Sequence, residues 1–225
     1  MIIACDTSSV VCSVAVADKG LTVFTREAVG GQIHIEKLTP FLKEALSYCH
    51  AQGESPEALA IAIGPGSFNG LRIGLATVKG LAVALKLPVI PIPSTDAMAF
   101  GLKDKLKGVC RAIIFSHRNF VHFADYTLGA ENSYTTPEFN YAPWDQLFSK
   151  KVEHYFGNAD RGFADWLHSE AGVQIDSKFH QVKADAAHLA MLAETRIDQG
   201  LMSLDELEPL YNAKYEAKKW IAPVF

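Results

Sequence analysis

Two stretches of the chain hold the residues best placed to do chemistry. The run IIACDTSS (2–9) ends an apolar segment on Asp6, Thr7, Ser8 and Ser9. A carboxylate with hydroxyls in one turn can bind Mg²⁺–phosphate, or the same groups can cap the turn by bonding nearby backbone N–H groups. The second stretch, IGPGSFNGLRIG (63–74), bunches glycines between an apolar run and a helical pattern. A phosphate loop needs GxxxxGK[ST], but Gly70 is followed by Leu71 and Arg72. The dinucleotide pattern GxGxxG fails at Asn69, and the nucleophile elbow GxSxG fails because Pro65 and Asn69 flank Ser67 at two residues. A helix N-terminus here still offers N–H groups to an anion. The plainer reading is a tight strand-to-helix turn, Gly64, Pro65, Gly66, Ser67 and Phe68, capped by Ser67 or Asn69.

Metal chemistry has less support. No two of the eight histidines stand at i, i+4, so neither HExxH nor HxxxH occurs. No activated nucleophile is evident. His117 and His122 are five apart across an expected hairpin and read as surface or half-buried side chains. The helix after the glycine turn carries two rows of small residues at four-residue spacing, Gly70/Gly74 and Ala76/Gly80/Ala84. Such a row lies along one side of a helix and lets another element approach closely, either a partner helix or the chain's own sheet.

These residues are positioned by a legible order of elements. IIACD (2–6), CSVAVAD (12–18) and TVFTREA (22–28) read as strands of a meander. HIEKLTPFLKEALSYCH (34–50) has Ile35, Leu38, Phe41, Leu42, Ala45, Leu46 and Cys49 at helical spacing, with Pro40 an irregularity. LAIAI (59–63), the glycine turn, a helix to about Leu85 and PVIPI (88–92) follow, giving β-β-β-α-β-α-β and an α/β fold with a mixed sheet. VCRAIIFS (109–116) and FVHFADY (120–126) predict a hairpin around His117–Asn119, and ADAAHLAMLAETRIDQG (184–200) a helix stopped by Gly200. The aromatic, Pro- and Gly-rich segment 133–180 carries no clear period.

Composition sets outer limits. The chain has 225 residues, 49% hydrophobic, with a net charge of −4. A protein that grips nucleic acid alone usually carries a basic excess, and the only local basic cluster is Lys214, Lys218 and Lys219 beside Trp220. No apolar run is expected to reach the roughly 18 residues of a membrane span, and MIIACDTSS lacks the features of a signal peptide. Cys5, Cys12, Cys49 and Cys110 are scattered, which predicts reduced thiols and a cytoplasmic protein.

Taken together, IIACDTSSVVCSVAVAD, HIEKLTPFL, IAIGPGSFNGLRIGLATVKGLAVAL and PVIPI resemble the TsaB (YeaZ) family of the actin-like/hexokinase/Hsp70 (ASKHA) superfamily. Asn69 departs from the usual threonine, and LEPLYNAKY (207–215) is similar to the family's closing L-x-P-x-Y, with Pro209 and Tyr211 in place. The second hairpin departs further: SHRNFVHF (116–123) has Ser116 where the superfamily's second carboxylate is expected. The resemblance implies an ASKHA (ribonuclease H-like) fold of two small lobes, with residues 1–101 the interface lobe. Residues 102–225 would be a divergent second lobe whose last helix returns to the first. It implies a non-catalytic scaffold in the machinery that makes N6-threonylcarbamoyladenosine next to the anticodon of tRNAs reading codons that begin with A. No catalytic residue, metal or cofactor is expected, and Asp6, Thr7 and Ser8 would be at most a degenerate nucleotide site. The implied partners are a catalytic TsaD-like paralogue, a TsaE-like ATPase, a second copy of the chain when alone, and tRNA only through the complex. No membrane is involved. The implied interface takes in His34, Leu38, Gly70, Arg72, Gly74, Ala76, Gly80 and Ala84. The alternative is an enzyme, a glycoprotease-like metallopeptidase of the M22 type or a small ASKHA ATPase.

Overall fold

The computed structural model describes residues 1–129, 137–158, 161–169, 172–198 and 203–211. Its first sheet grows around β1 (Ile2–Asp6), every residue of which is buried. Side chains alternate across a strand, so Ile3 and Cys5 face one helical layer while Ile2 and Ala4 face the other. A strand covered on both faces has to be apolar throughout, and IIAC is. β1 pairs antiparallel with β2 (Val11–Asp18) and parallel with β4 (Ala58–Gly64). β3 (Leu21–Val29) and β5 (Val89–Pro93) complete the order β3-β2-β1-β4-β5.

The two faces are built from different side chains. On one, Leu38, Leu42, Ala45 and Cys49 of α1 (Ile33–Ala51) and Leu75, Val78 and Ala82 of α2 (Phe68–Leu85) pack on Ile3, Val14, Val16, Leu59 and Ile61. The other is mostly alanine, Ala4, Ala15, Ala17, Ala58, Ala60 and Ala62, with Ile2, Ile90 and Ile92. It receives α3 (Ser94–Leu102) and α4 (Ala186–Glu194), the latter bringing Ala186, Ala190 and Ala193 against it. Small residues on both sides bring the helix axis close to the sheet. The helix expected over 184–200 is thus shorter, N-capped by the Asp185 carboxylate, which accepts the Ala187 N–H at 2.8 Å. Gly200, its expected stop, lies outside the described residues.

The second sheet has the order β10-β9-β6-β7-β8, from β6 (Gly108–Phe115), β7 (Phe120–Leu128), β8 (Asn140–Pro143), β9 (His154–Asn158) and β10 (Phe179–Gln181). The aromatic segment supplies its outer layer. Trp144, Tyr155, Phe163, Trp166 and Phe179 pack together with Ile113 and Val121. Between the layers lies a polar lock. The Tyr126 hydroxyl sits 2.7 Å from both Thr95 Oγ1 and Asp96 Oδ1, and Arg196 donates to Asp96 Oδ2 at 2.8 Å. It ties β7 to α3 and to the chain just beyond α4.

One sequence expectation is corrected here. α2 is long and apolar enough, by length and composition, to cross a membrane. In this fold Leu71, Leu75, Val78 and Ala82 are buried along one side of it, and that side packs against the first sheet.

Candidate functional site

The glycine turn is shaped to clasp the β1–β2 turn. The Ser67 N–H donates to the Ser8 carbonyl at 2.7 Å, and the Thr7 hydroxyl donates to the Gly70 carbonyl at 2.8 Å. A Cβ on Gly66 would overlap the Ser8 carbonyl oxygen, one on Gly70 the Thr7 carbonyl oxygen, and one on Gly74 the Thr7 hydroxyl. Gly64 adopts a φ of +105°, a value L side chains rarely tolerate. Ser67 is the cap, its Oγ accepting the Gly70 N–H at 3.2 Å. Asn69 is not.

Asp6 serves that same turn. Its Oδ1 accepts the Ser8 N–H at 2.8 Å, while Oδ2 is buried without a hydrogen-bond partner. Burial pushes its pKa up, opposed by the bonds from Ser8. Of the two roles the sequence left open, the geometry shows the cap. A cleft of about 710 Å³ opens above it between the lobes, lined by Ser8, Ser9, His34 and Asn69 on one side and Ile114 and Asn158 on the other. Asp6 does not reach it, and no carboxylate is among its lining residues. Ser116 is 3.2 Å from His117 Nδ1. Among the described residues no three His, Cys, Asp or Glu side chains converge as a metal site would require.

The interface residues expected from sequence fall into two groups. His34, Leu38, Gly70 and Gly74 are buried and pack against other parts of the chain, His34 and Gly70 at the edge of the cleft. Leu38 joins the sheet core, and His34 Nε2–H donates to the Ser9 carbonyl at 2.9 Å. The row Gly70/Gly74 points inward because the first turn presses against it. Ala76, Gly80 and Ala84 are exposed, and nothing lies within 4 Å of where a Gly80 Cβ would stand. Val83 beside them is 68% exposed and Phe68 52%. Arg72 is exposed and engaged: its guanidinium lies 3.8 Å over the Phe68 ring, and Nε donates to the Tyr211 hydroxyl at 2.9 Å. Tyr211, from the closing motif, stacks near Phe68 at 5.3 Å, and the Leu210 N–H donates to the Ile63 carbonyl at 2.8 Å. Sequence reasoning matched Tyr211 to a motif without seeing that it latches the start of α2. The Lys214, Lys218, Lys219 and Trp220 cluster lies outside the described residues.

Comparison with known proteins fits this geometry. The profile of the family described as "TsaD: tRNA N6-adenosine threonylcarbamoyltransferase" matches residues 28–134. The "tRNA threonylcarbamoyladenosine biosynthesis protein TsaB" of Escherichia coli is 25% identical over 217 residues, covering 93% of each chain. The protein of the same name from Haemophilus influenzae is 38% identical over 98 residues, 44% of this chain and 41% of its own length. The matched part thus spans less than half of that relative. The solved structure "YeaZ from Pseudomonas aeruginosa" superposes with a TM-score of 0.76 at 22% identity, covering 93% of this chain and 98% of its own. The chain is similar to proteins of the TsaB/YeaZ family. Its two mixed sheets with packed helices share the α/β fold of that YeaZ structure. In this chain the glycine signature secures the β1–β2 turn from beneath α2, and the small-residue row that remains free lies on α2's outer side.

Proposed function

We propose that this chain is a non-catalytic subunit of the machinery that makes N6-threonylcarbamoyladenosine in tRNA, and that it works by binding a catalytic TsaD-like paralogue. The observation that carries the reading is the outer side of α2. Ala76, Gly80 and Ala84 form an open groove on an exposed apolar helix, flanked by Val83. Such a groove suits a helix from a related lobe. A paralogue with the same fold would present one, and a second copy of the chain would take its place when the partner is missing. The names of the relatives support the pathway, and the buried Asp6, engaged as a cap, supports the absence of catalysis. A TsaE-like ATPase joins the assembly, tRNA is held only through it, and the work is cytoplasmic.

Co-elution with the TsaD paralogue of the same organism tests this. Gly80→Leu should fold normally and lose the partner. A folded Gly80→Leu that co-elutes as well as the wild type refutes the placement. Steady ATP or peptide turnover by the pure chain refutes the non-catalytic role.

A further inference from the structure

The second hairpin, SHRNFVHFA (116–124), is where the chain departs from the TsaB/YeaZ pattern it resembles, and it contains no carboxylate. The turn places His117 and Arg118 at the tip, with the Phe120 N–H donating to the His117 carbonyl at 3.0 Å. Phe120 and His122 share a sheet face because they are two apart, and Tyr141 of β8 stands directly opposite His122. The rings form a ladder. His122 and Tyr141 centroids are 4.8 Å apart, Tyr141 and Phe120 5.1 Å, and the His117 ring lies 6.2 Å from Phe120 and 6.4 Å from Tyr141. The planes of His117, Phe120 and Tyr141 lie within 27° of one another. The ladder runs from buried His122 through half-buried Phe120 and Tyr141 to exposed His117. It occupies the same sheet face as Ile114, which pairs with His122 and lines the interlobe cleft.

A ring ladder that ends in solvent offers a flat π surface rather than a finished core. Arg118, next to His117 in the turn and exposed, makes no ion pair among the described residues. Flat rings with an adjacent free guanidinium are the chemistry that takes an unpaired base and its phosphate. We propose that His117, Phe120 and Tyr141, with Arg118, form a stacking platform for an unpaired nucleobase of an RNA strand. The platform is open and carries one guanidinium, too little to hold the polyphosphate of a free nucleotide. In a strand, neighbouring residues share the grip. The inference deepens the preceding reading only in that tRNA is the RNA such an assembly would present.

The test uses the full chain and an unstructured probe, so it does not depend on the partner subunit. Hexa-adenylate is titrated at low salt, with AMP in parallel, while NMR follows the His117 imidazole and Tyr141 ring protons. Hexa-adenylate should shift both sets and AMP neither at the same concentration. His117→Ala and Arg118→Glu, both at exposed positions, should each weaken hexa-adenylate binding by about five- to a hundredfold. The proposal is overturned if hexa-adenylate does not bind, or if its shifts map elsewhere on the chain. It is also overturned if AMP binds equally well, or if both variants bind like the wild type. Co-elution with the TsaD paralogue is read separately, so loss of the platform and loss of the partner are distinguishable.

Discussion

Replacing Gly74 with alanine adds a single methyl group where the structure has no room for one. The new Cβ would overlap the Thr7 hydroxyl and come within 3.1 Å of Ile61 Cδ1. Thr7 is fully buried, and its hydroxyl donates to the Gly70 carbonyl at 2.8 Å. The methyl therefore either displaces that hydroxyl or pushes α2 off β4. Overpacking of this kind costs about 1–3 kcal/mol, and a buried hydroxyl left without its partner costs about 1–3 kcal/mol more. Some relaxation is shared between the two, so a total near 2–4 kcal/mol is expected. For a chain of this size about 1 kcal/mol moves Tm by roughly 2–4 °C, so Gly74→Ala should melt roughly 4–16 °C early. Gly80→Ala is the control on the same helix. Its Cβ meets nothing, and alanine is favoured over glycine inside a helix by about 1 kcal/mol. Gly80→Ala should therefore melt at or slightly above the wild-type temperature. Differential scanning calorimetry of the three proteins decides it. Wild-type melting of Gly74→Ala, or early melting of Gly80→Ala, would show that the two rows have been assigned to the wrong sides of α2.

Three further outcomes are expected. Tyr126→Phe removes the hydroxyl that sits 2.7 Å from Thr95 and Asp96, while Arg196 still donates to Asp96 Oδ2. It should lower stability by about 1–3 kcal/mol in a urea melt. Burial, with His117 nearby, lowers the His122 pKa from 6.5 to about 4. The unfolded chain then binds more protons, so this contribution to stability is complete above about pH 6.5 and is lost as pH falls toward 4, and His122→Gln should flatten that part of a pH-dependent melt. Asp6→Asn keeps an oxygen for the Ser8 N–H and removes a charge that burial disfavours. Its Tm at neutral pH should match or exceed the wild type, and a large loss would argue that the ionised carboxylate is required.

Much of the first lobe was legible because its signals are local. Alternation and length place β1, β2, β3, β4 and β5, and the 3.6-residue period places α1 and α2. Spacing alone set the glycine turn apart from the phosphate-loop, dinucleotide and nucleophile-elbow patterns. The second lobe was less so. Residues 133–180 lack a period because Trp144, Tyr155, Phe163, Trp166 and Phe179 meet as one cluster from short elements far apart in the chain. The sequence likewise left both small-residue rows on α2 as candidates for a partner. The helical period puts Gly70/Gly74 and Ala76/Gly80/Ala84 on different sides, but it does not say which side is covered. Tertiary structure decided that by laying the β1–β2 turn against Gly66, Gly70 and Gly74. The same contact turned Asp6 into a buried cap and left Gly80 open. Spacing along a chain fixes the relation between residues of one element, whereas burial is set by what packs against that element. Here that is a turn more than fifty residues earlier in the chain.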